Sequence, residues 1–130
     1  MKQRFSTKWI RSKQKRKQRK YRRNAPLHIV SKFMHVHLSK DLRKKYGRRA
    51  IRARKGDTVK ILRGQFKKKS GKVVDVNLSR RKVYVENIRQ IRKEGTKSPY
   101  PLEPSNLMLI SLNLDDKIRK EKLEKKKNAS

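Results

Sequence analysis

The middle of the chain alternates apolar and polar residues on both sides of a short loop. The stretch covers residues 55–77, KGDTVKILRGQFKKKSGKVVDVN. Its alternating apolar positions are Val59, Ile61, Val74 and Val76. Alternation with a period of two around a glycine-bearing turn is typical of an antiparallel β-hairpin. The sequence therefore predicts two paired strands, near residues 57–63 and 72–77.

The same alternation predicts three further short strands, near residues 82–86, 87–92 and 107–112. Residues 79–81 form the predicted turn between the second and third strands. Residues 93–104 contain one glycine and three prolines, so they cannot be regular structure throughout. Five short strands with this spacing favour a small barrel of the SH3-like type.

Two short helices are predicted ahead of the strands. Pro26 suits the first position of a helix, where its missing N–H costs nothing. Apolar residues follow it at helical spacing: Leu27, Val30 and Met34. Ser39 can cap a second helix, and Gly47 can end it. Both helices are short and basic, so we expect them to bracket the barrel rather than form a bundle of their own.

The charge of the chain restricts its partners. Lysine and arginine number 42 against 10 acidic residues, a formal net charge of +32, and only 32% of the residues are hydrophobic. Self-repulsion on this scale opposes compaction unless a polyanion neutralises it. Nucleic acid is the expected partner, because neutralising phosphates releases condensed counterions. An anionic membrane surface would need an amphipathic helix with a broad apolar face, which is not apparent, and no apolar run approaches the roughly 18 residues of a membrane span.

The N-terminal arm carries the densest positive charge. Residues 1–23 contain 12 lysines or arginines and no acidic residue. The run at residues 14–23 is too basic to fold against itself, so we expect it to become ordered only on a partner. A transit peptide is the competing interpretation, but lysine-dense runs suit it less well than amphipathic segments rich in arginine and serine.

Three aromatic residues interrupt the arm. Tyr21 and Trp9 either stack on bases or dock on the helices of the protein itself, and both alternatives remain open. Met1, Phe5 and Trp9 are spaced four residues apart, which also permits a short helix.

Residues 115–130 have the pattern of a charged helix. Favourable pairs lie four residues apart: Asp115–Arg119, Asp116–Lys120 and Glu121–Lys125. Ile118 and Leu123 form no continuous apolar face, so we expect a tail that is solvated or docked on RNA. The predicted organisation is a basic RNA-binding arm (1–24), a short helical extension (25–50), a barrel (51–114) and a charged C-terminal tail (115–130).

The loop of the first hairpin is the leading candidate for phosphate binding. Gly64 and Gly71 flank it, and glycine both permits positive φ and lets a ligand approach the backbone. Lys67, Lys68 and Lys69 lie between them and can meet a phosphate turn of folded RNA together. The alternative is a lysine tip that is merely solvated.

The same stretch resembles the KOW motif, found in small barrels of ribosomal proteins and transcription elongation factors. The positions that match the motif are residues 55–57, Val59, Gly64, Gly71, Lys72 and Val74. Lys68 stands where the family commonly has glycine.

Four longer blocks extend the resemblance in collinear order. They are KQRKYRRNAPLH (17–28), HLSKDLRKKYGRRAIRARKGDTVKI (37–61), KVYVEN (82–87) and PLEPSNLMLISLNLDD (101–116). They resemble the KOW protein of the large ribosomal subunit, numbered twenty-four in bacteria, in its archaeal and eukaryotic form. The first two blocks separate this branch from the elongation factors, which share only the barrel.

The resemblance implies a structural protein that binds the 5′ region of large-subunit rRNA and supports early subunit assembly. It implies a place beside other ribosomal proteins near the polypeptide exit tunnel, with residues 93–104 towards the tunnel mouth and factors at the tunnel exit as further candidate partners. The expected fold is mainly β: a small SH3-like (KOW) barrel with a basic N-terminal arm, two short N-terminal helices and a charged C-terminal helical tail. We expect no membrane insertion and no homo-oligomer.

Two other classes of protein remain as alternatives. A transcription elongation factor usually adds a polymerase-binding domain, for which this chain is short. A nucleoid-type DNA compactor would need neither the barrel nor residues 93–104. Co-sedimentation with large ribosomal subunits in high salt would separate the three classes.

We expect the RNA contacts to come from the arm, the entry to the barrel, the lysine-bearing loop and the turn at residues 79–81. The candidate residues are Lys13, Lys15, Arg16, Lys17, Arg19, Lys20, Tyr21, Arg22, Arg23, His28, Arg48, Arg49, Arg52, Arg54, Lys55, Arg63, Gly64, Phe66, Lys67, Lys68, Lys69, Gly71, Lys72, Arg80 and Arg81.

Catalysis, cofactors and bound metals are not expected. The chain has no cysteine, which excludes disulfides, zinc ribbons and thiol catalysis. His28, His35 and His37 have no nearby acid to complete a shell of three or four ligands. Asp57 follows Gly56 and is typical of a turn residue that binds the backbone, and no nucleophile, base and orienting group occur together. The basic start lacks the apolar segment of a secretory signal, so we expect a cytoplasmic location in the ribosome.

Overall fold

The structure is a computed structural model that describes Phe5, Lys8 and residues 10–129, with side chains as far as residue 125. Its helices are α1 (Lys15–Asn24), α2 (Leu27–Val30), α3 (Lys40–Tyr46) and α4 (Lys117–Ala129), with 3-10 turns at Ser31–Met34 and Pro104–Asn106. Its strands are β1 (His35–Leu38), β2 (Ala50–Arg52), β3 (Thr58–Ile61), β4 (Ser70–Asn77), β5 (Lys82–Val85), β6 (Arg89–Ile91), β7 (Lys97–Pro99) and β8 (Leu107–Ser111).

Six strands form one sheet in the order β2-β1-β8-β3-β4-β5, and β6 pairs with β7 in a separate hairpin. Neighbouring strands are antiparallel except β1 and β8, which are parallel. The larger sheet encloses one apolar core. The fold is therefore mainly β and of the small SH3-like barrel type, as predicted.

The five predicted strands are confirmed as β3, β4, β5, β6 and β8. β1, β2 and β7 were not predicted, because β1 and β2 lie on either side of α3 in the segment expected to be helical, and β7 ends in a proline, which is uncommon in strands. β7 lies within the irregular stretch at residues 93–104 and pairs with β6. That stretch is therefore partly a hairpin.

The inward-facing residues of the central strands form the core. Val59 and Ile61 of β3 are fully buried, as are Leu107 and Leu109 of β8. Each pair lies two positions apart, so both members point to the same face of the sheet. Together they fill the space between the strands and the helices that pack on them.

Val74 does not follow the alternation that the sequence indicates. Val74 is 57% exposed, whereas its neighbour Val73 is 3% exposed. The pairing of β4 with β5 shifts between Val73 and Asp75, which indicates a β-bulge. A bulge inserts one unpaired residue and moves the alternation to the next position.

Both predicted helices are present, and the cap and the end predicted for the second are confirmed. The Leu42 N–H donates to Ser39 Oγ at the start of α3, over 3.4 Å. Gly47 ends α3 in the left-handed conformation, with a φ of +63°. The other predicted helix is α2, which continues as a 3-10 turn to Met34.

The expectation that Ile118 and Leu123 give the C-terminal tail no face for packing is wrong for α4. Leu123 is fully buried in the barrel core, and Arg119, one turn before it, is 8% exposed. Residues four apart lie on the same face of a helix. This face docks α4 on the barrel, while Ile118 stays exposed.

Asp57 and Arg119 form a buried, bidentate ion pair that holds α4 in place. Arg119 Nη1 donates to Asp57 Oδ1 and Nη2 donates to Asp57 Oδ2, each over 2.7 Å. The backbone N–H groups of Arg54 and Asn113 donate to the same carboxylate. The predicted role of Asp57 as a turn residue that binds the backbone is confirmed. The predicted pairing of Arg119 with Asp115 is wrong, because Arg119 instead neutralises this buried carboxylate.

Replacing Arg119 by methionine should lower the free energy of unfolding by about 3–5 kcal/mol, because the carboxylate of Asp57 would stay buried without a counter-charge. Urea denaturation of the full chain measures the loss. The matched control is Lys120→Met, an exposed position of the same helix, which should change stability by less than about 0.5 kcal/mol. Equal losses in the two variants would contradict the role assigned to the pair.

A second ion pair lies at the start of α4. Arg54 Nη1 donates to Asp116 Oδ2, and the Ile118 N–H donates to Asp116 Oδ1 over 3.0 Å. The hydrogen bond from Arg54, followed by that from Ile118, lowers the pKa of Asp116 below its ordinary value of 3.8. Because the pKa is lower in the folded state, the pair stabilises the fold above the unfolded pKa, and this contribution is lost as the pH falls through the folded pKa.

Carboxyl-detected NMR titration of the full chain should therefore give Asp116 a midpoint below 3.8. The Arg54→Gln variant should move that midpoint upwards, because it removes the largest cause of the shift. Arg92→Gln, which lies on the loop between β6 and β7, is the control and should leave it in place. An unchanged midpoint in Arg54→Gln would mean that the ion pair does not form in solution.

Candidate RNA interface

The loop between β3 and β4, residues 62–69, is held rigidly by the backbone; we call it the lysine loop. The Ile61 N–H donates to the Lys69 carbonyl over 2.8 Å, and the Lys68 N–H donates to the Ile61 carbonyl over 2.9 Å. The Leu62 N–H donates to the Asn106 carbonyl over 2.8 Å and joins the loop to the turn before β8. The loop is therefore a fixed feature of the barrel.

Two residues of the lysine loop occupy the left-handed region of backbone conformation. Gly64 has a φ of +98° and Lys68 has a φ of +73°. The positive φ predicted for Gly64 is confirmed. Lys68 adopts the conformation that favours glycine, at the position where the KOW motif commonly has glycine. The loop thus holds a lysine in a strained backbone conformation.

The cations of the loop point to solvent. Lys67, Lys68 and Lys69 are all exposed. Lys69 Nζ lies 5.2 Å from the ring centre of Phe66, and that ring packs on Tyr100 with centroids 4.9 Å apart. Phe66 is therefore a half-buried support for the loop.

Gly71 does not have the role predicted from its place beside the loop. It lies in β4 opposite Val59, and its φ is not positive. A Cβ atom at this position would come within 3.0 Å of the Glu86 carbonyl oxygen and of Val85 Cγ1. Glycine is needed here because β5 approaches closely, and Gly71 therefore faces the protein's own backbone.

The C-terminal part of the basic arm is helical. Residues Lys15–Asn24 form α1, and Tyr21 in its last half is 4% exposed. The centre of the Tyr21 ring lies 5.0 Å from the centre of the Phe5 ring and 6.1 Å from the centre of the Phe33 ring. Of the two alternatives for Tyr21, the structure therefore favours docking on the protein's own helices. Met1 and Trp9 lie outside the described residues.

Docking of α1 brings its arginines to the turn between β4 and β5. Arg81 Nη1 donates to the Arg22 carbonyl over 3.2 Å. A cleft of about 480 Å³, which we call the arm–turn cleft, separates the two elements. It is lined by Arg19, Arg22, Arg80, Arg81, Lys82, Glu103 and Ser105. Glu103, the only acid among these residues, pairs with Lys82, so the four arginines leave the cleft positively charged.

The remaining candidates lie on several elements of the fold. Exposed residues on or next to α1 are Lys13, Lys15, Arg16, Lys17, Lys20 and Arg23. His28, Arg49, Arg63 and Lys72 are also exposed, and Lys55 pairs with Asp75 over 3.5 Å. Arg48, Arg52 and Arg54 lie around a separate cleft between β2 and α4.

Sequence reasoning missed three cations that line these clefts, Lys82, Arg119 and Lys122. Lys122 follows from a signal that was present: Leu123 is an isolated leucine in a charged helix, and Arg119 lies four residues before it. A leucine and an arginine on one face of the helix predict that this face packs on the barrel. Packing of that face places Lys122, the neighbour of Leu123, beside the barrel. Lys82 has no comparable signal.

Sites of other kinds are not found in the part of the chain that the structure describes. No group of three or more histidine, cysteine, aspartate or glutamate side chains there can hold a metal ion. Within the same residues, no helix has the length and apolar character needed to cross a membrane.

Comparison with known proteins agrees with this architecture. A family model described as the ribosomal proteins L26 of eukaryotes and L24 of archaea matches residues 12–126. A large ribosomal subunit protein uL24 of Methanothrix thermoacetophila is 49% identical over 105 residues, which cover 81% of this chain and 90% of that protein. A large ribosomal subunit protein uL24 of Methanocorpusculum labreanum is 46% identical over 117 residues, which cover 90% of this chain and 97% of that protein.

Lys68→Gly should leave the free energy of unfolding unchanged or raise it by up to about 1.5 kcal/mol. Relief of a left-handed lysine gains about 1–2 kcal/mol, and the entropy of glycine takes back about 0.5–1 kcal/mol. Lys67→Gly is the matched control, because it also exchanges a loop lysine for glycine but at a position without positive φ. It should destabilise the protein in urea denaturation. The reverse order of the two variants would show that the loop conformation is wrong.

Proposed function

Because the chain belongs to the family of the ribosomal proteins L26 of eukaryotes and L24 of archaea, we propose that its basic surfaces bind large-subunit rRNA. Membership makes it a structural constituent of the large ribosomal subunit and not an enzyme. It is therefore cytoplasmic, in the ribosome, and its partners are ribosomal RNA and ribosomal proteins.

The arm–turn cleft is the observation that carries the RNA proposal. Four arginines from α1 and from the β4–β5 turn face one cleft, and its only lining acid is already paired. Such a site would be strongly repulsive without an anion, because the charges lie on two elements that pack together. Arginine matches the oxygens of a phosphate with paired N–H groups, which favours an RNA backbone as the anion.

The mechanism that these surfaces support is scaffolding. The lysine loop is fixed by backbone hydrogen bonds, and α1 is fixed by the burial of Tyr21. Two cationic surfaces with a fixed relative position can bind two RNA segments at once. They would fix the relative position of the two segments and neutralise the repulsion between their phosphates. Recognition of this kind depends on the shape and phosphates of RNA more than on its bases.

We propose further that the RNA is the 5′ region of the large-subunit rRNA, that binding supports early assembly, and that the protein lies near the exit tunnel. The support is the resemblance of residues 17–28 and 37–61 to the family's blocks. The β6–β7 hairpin adds support for a position beside neighbouring proteins or factors at the tunnel exit, because its residues are mostly exposed and separate from the main sheet.

Filter binding of the full chain to equal-length transcripts from the 5′ and 3′ regions of the large-subunit rRNA tests this proposal. The 5′ transcript should bind more tightly at every salt concentration, and the protein should co-sediment with large subunits in high salt. Equal affinity for both transcripts would contradict the assignment to the 5′ region. Release from large subunits at moderate salt would contradict the scaffolding mechanism.

Replacing Arg19 and Arg80 by glutamine should reduce the salt dependence of binding to the 5′ transcript. If each arginine contacts one phosphate, the slope of log affinity against log salt should fall by about 1.4–1.8. The control is Lys40→Gln with Lys44→Gln, which removes the same charge from the exposed surface of α3. A slope that falls equally in both variants would mean that net charge, and not the arm–turn cleft, determines binding.

A further inference from the structure

A second cleft lies between β2 and α4 and is formed only because α4 docks on the barrel. Its volume is about 640 Å³. Arg48 and Arg52 line it from the side of β2, and Lys122 lines it from α4. Ile51 and Ile118 contribute apolar walls. We call it the β2–α4 cleft.

The charges of the β2–α4 cleft fall into two groups. Arg54 and Arg119 also line it, but each is neutralised within the protein, by Asp116 and by Asp57. Arg48, Arg52 and Lys122 take part in none of the ion pairs among the described residues. The cleft therefore presents three cations to solvent that the fold does not use for its own stability.

One of these cations, Arg48, has a buried hydrogen-bond donor that is unsatisfied. Arg48 Nε is buried and has no hydrogen-bond partner among the described residues, as is true of Arg43 Nε and His37 Nδ1, and of these three residues only Arg48 lines the cleft. A buried donor without an acceptor costs about 1–3 kcal/mol, and such groups are rare in folded proteins. The position of Arg48 at the cleft suggests that its acceptor comes from outside the protein.

We propose that the β2–α4 cleft is a further RNA-backbone site that takes adjacent phosphates of one strand, contacted by Arg48 and Arg52 from the barrel and by Lys122 from α4. The inference rests on the proposed function, since it names another contact with the same rRNA. Two of the three cations are arginines, whose planar forks match phosphate oxygens. The apolar walls suit the sugars between phosphates. An acidic protein segment is the competing occupant.

The site couples the C-terminal helix to RNA. The ion pair of Arg119 with Asp57 fixes the helix face that carries Lys122, because residues three apart are neighbours on a helix. The buried ion pair thus positions Lys122, a cation that can bind phosphate, although Lys122 is far in sequence from Asp57 at the barrel entry. RNA in the cleft would in turn hold α4 against β2.

The test uses the full chain with Arg52 and Lys122 both replaced by glutamine. Its slope of log affinity against log salt on the 5′ rRNA transcript should be lower than that of the wild type by about 1.4–1.8, the value for two phosphate contacts. Lys40→Gln with Lys44→Gln is the matched control. It should lower the slope by less than about 0.7, the value for a single phosphate contact. Both variants should keep the wild-type urea midpoint, because none of the four side chains is buried.

Lysine acylation followed by mass spectrometry gives an independent readout. In wild-type protein bound to the transcript, Lys122 should react at least several-fold more slowly than in free protein, whereas Lys44 should be unchanged. An acidic polyglutamate peptide at equal charge concentration should not protect Lys122. Protection by the peptide as strong as that by RNA would overturn the choice of RNA and favour a protein occupant.

Failure of this inference is distinguishable from failure of the proposed function. If wild-type protein binds the transcript but the Arg52 and Lys122 variant behaves as the control and Lys122 stays reactive, the cleft is not an RNA site while the function stands. If wild-type protein does not bind rRNA, the proposed function itself falls.

Discussion

The buried ion pair between Asp57 and Arg119 is the contact on which the arrangement of the whole domain depends. A charged carboxylate is tolerated in a protein interior only when donors meet its oxygens. Here the donors come from the entry to β3, from the segment after β8 and from α4. Burying Asp57 therefore requires all three to be in place together. Leu123 enters the core as a consequence, and α4 becomes a wall of a cationic cleft.

The few acidic residues of this chain position cations more than they neutralise them. With 10 acids against 42 lysines and arginines, internal pairing cannot balance the charge. Three of the described ion pairs instead lie at junctions: Asp57 and Asp116 hold α4, and Glu103 holds Lys82 beside the arm–turn cleft. The cations that are left face outwards in the lysine loop and the two clefts. A rigid barrel of this kind separates its surplus charge into defined surfaces.

Local signals predicted the features that local physics controls. The β3–β4 hairpin, the cap at Ser39 and the left-handed end at Gly47 each follow from residues within a few positions of one another, and the structure has all three. The lysine loop was predicted with its cations in place. The errors lie where a neighbour distant in sequence decides: Val74 is outside because a bulge against β5 shifts the strand, and Gly71 packs against β5.

By itself, the sequence determined the class of the fold, the family resemblance and the sign of the partner's charge, because periodicity, motif spacing and composition are properties of the chain alone. Only the tertiary structure decided which side chains are available to that partner. Tyr21 turned inwards because Phe33 offered an apolar surface, and Arg119 chose the buried Asp57 over its helix neighbour Asp115. Burial free energy depends on what lies across the interface, and residues far apart in sequence supply it. For that reason α1 and α4 are docked helices here, although their own sequences are typical of solvated ones.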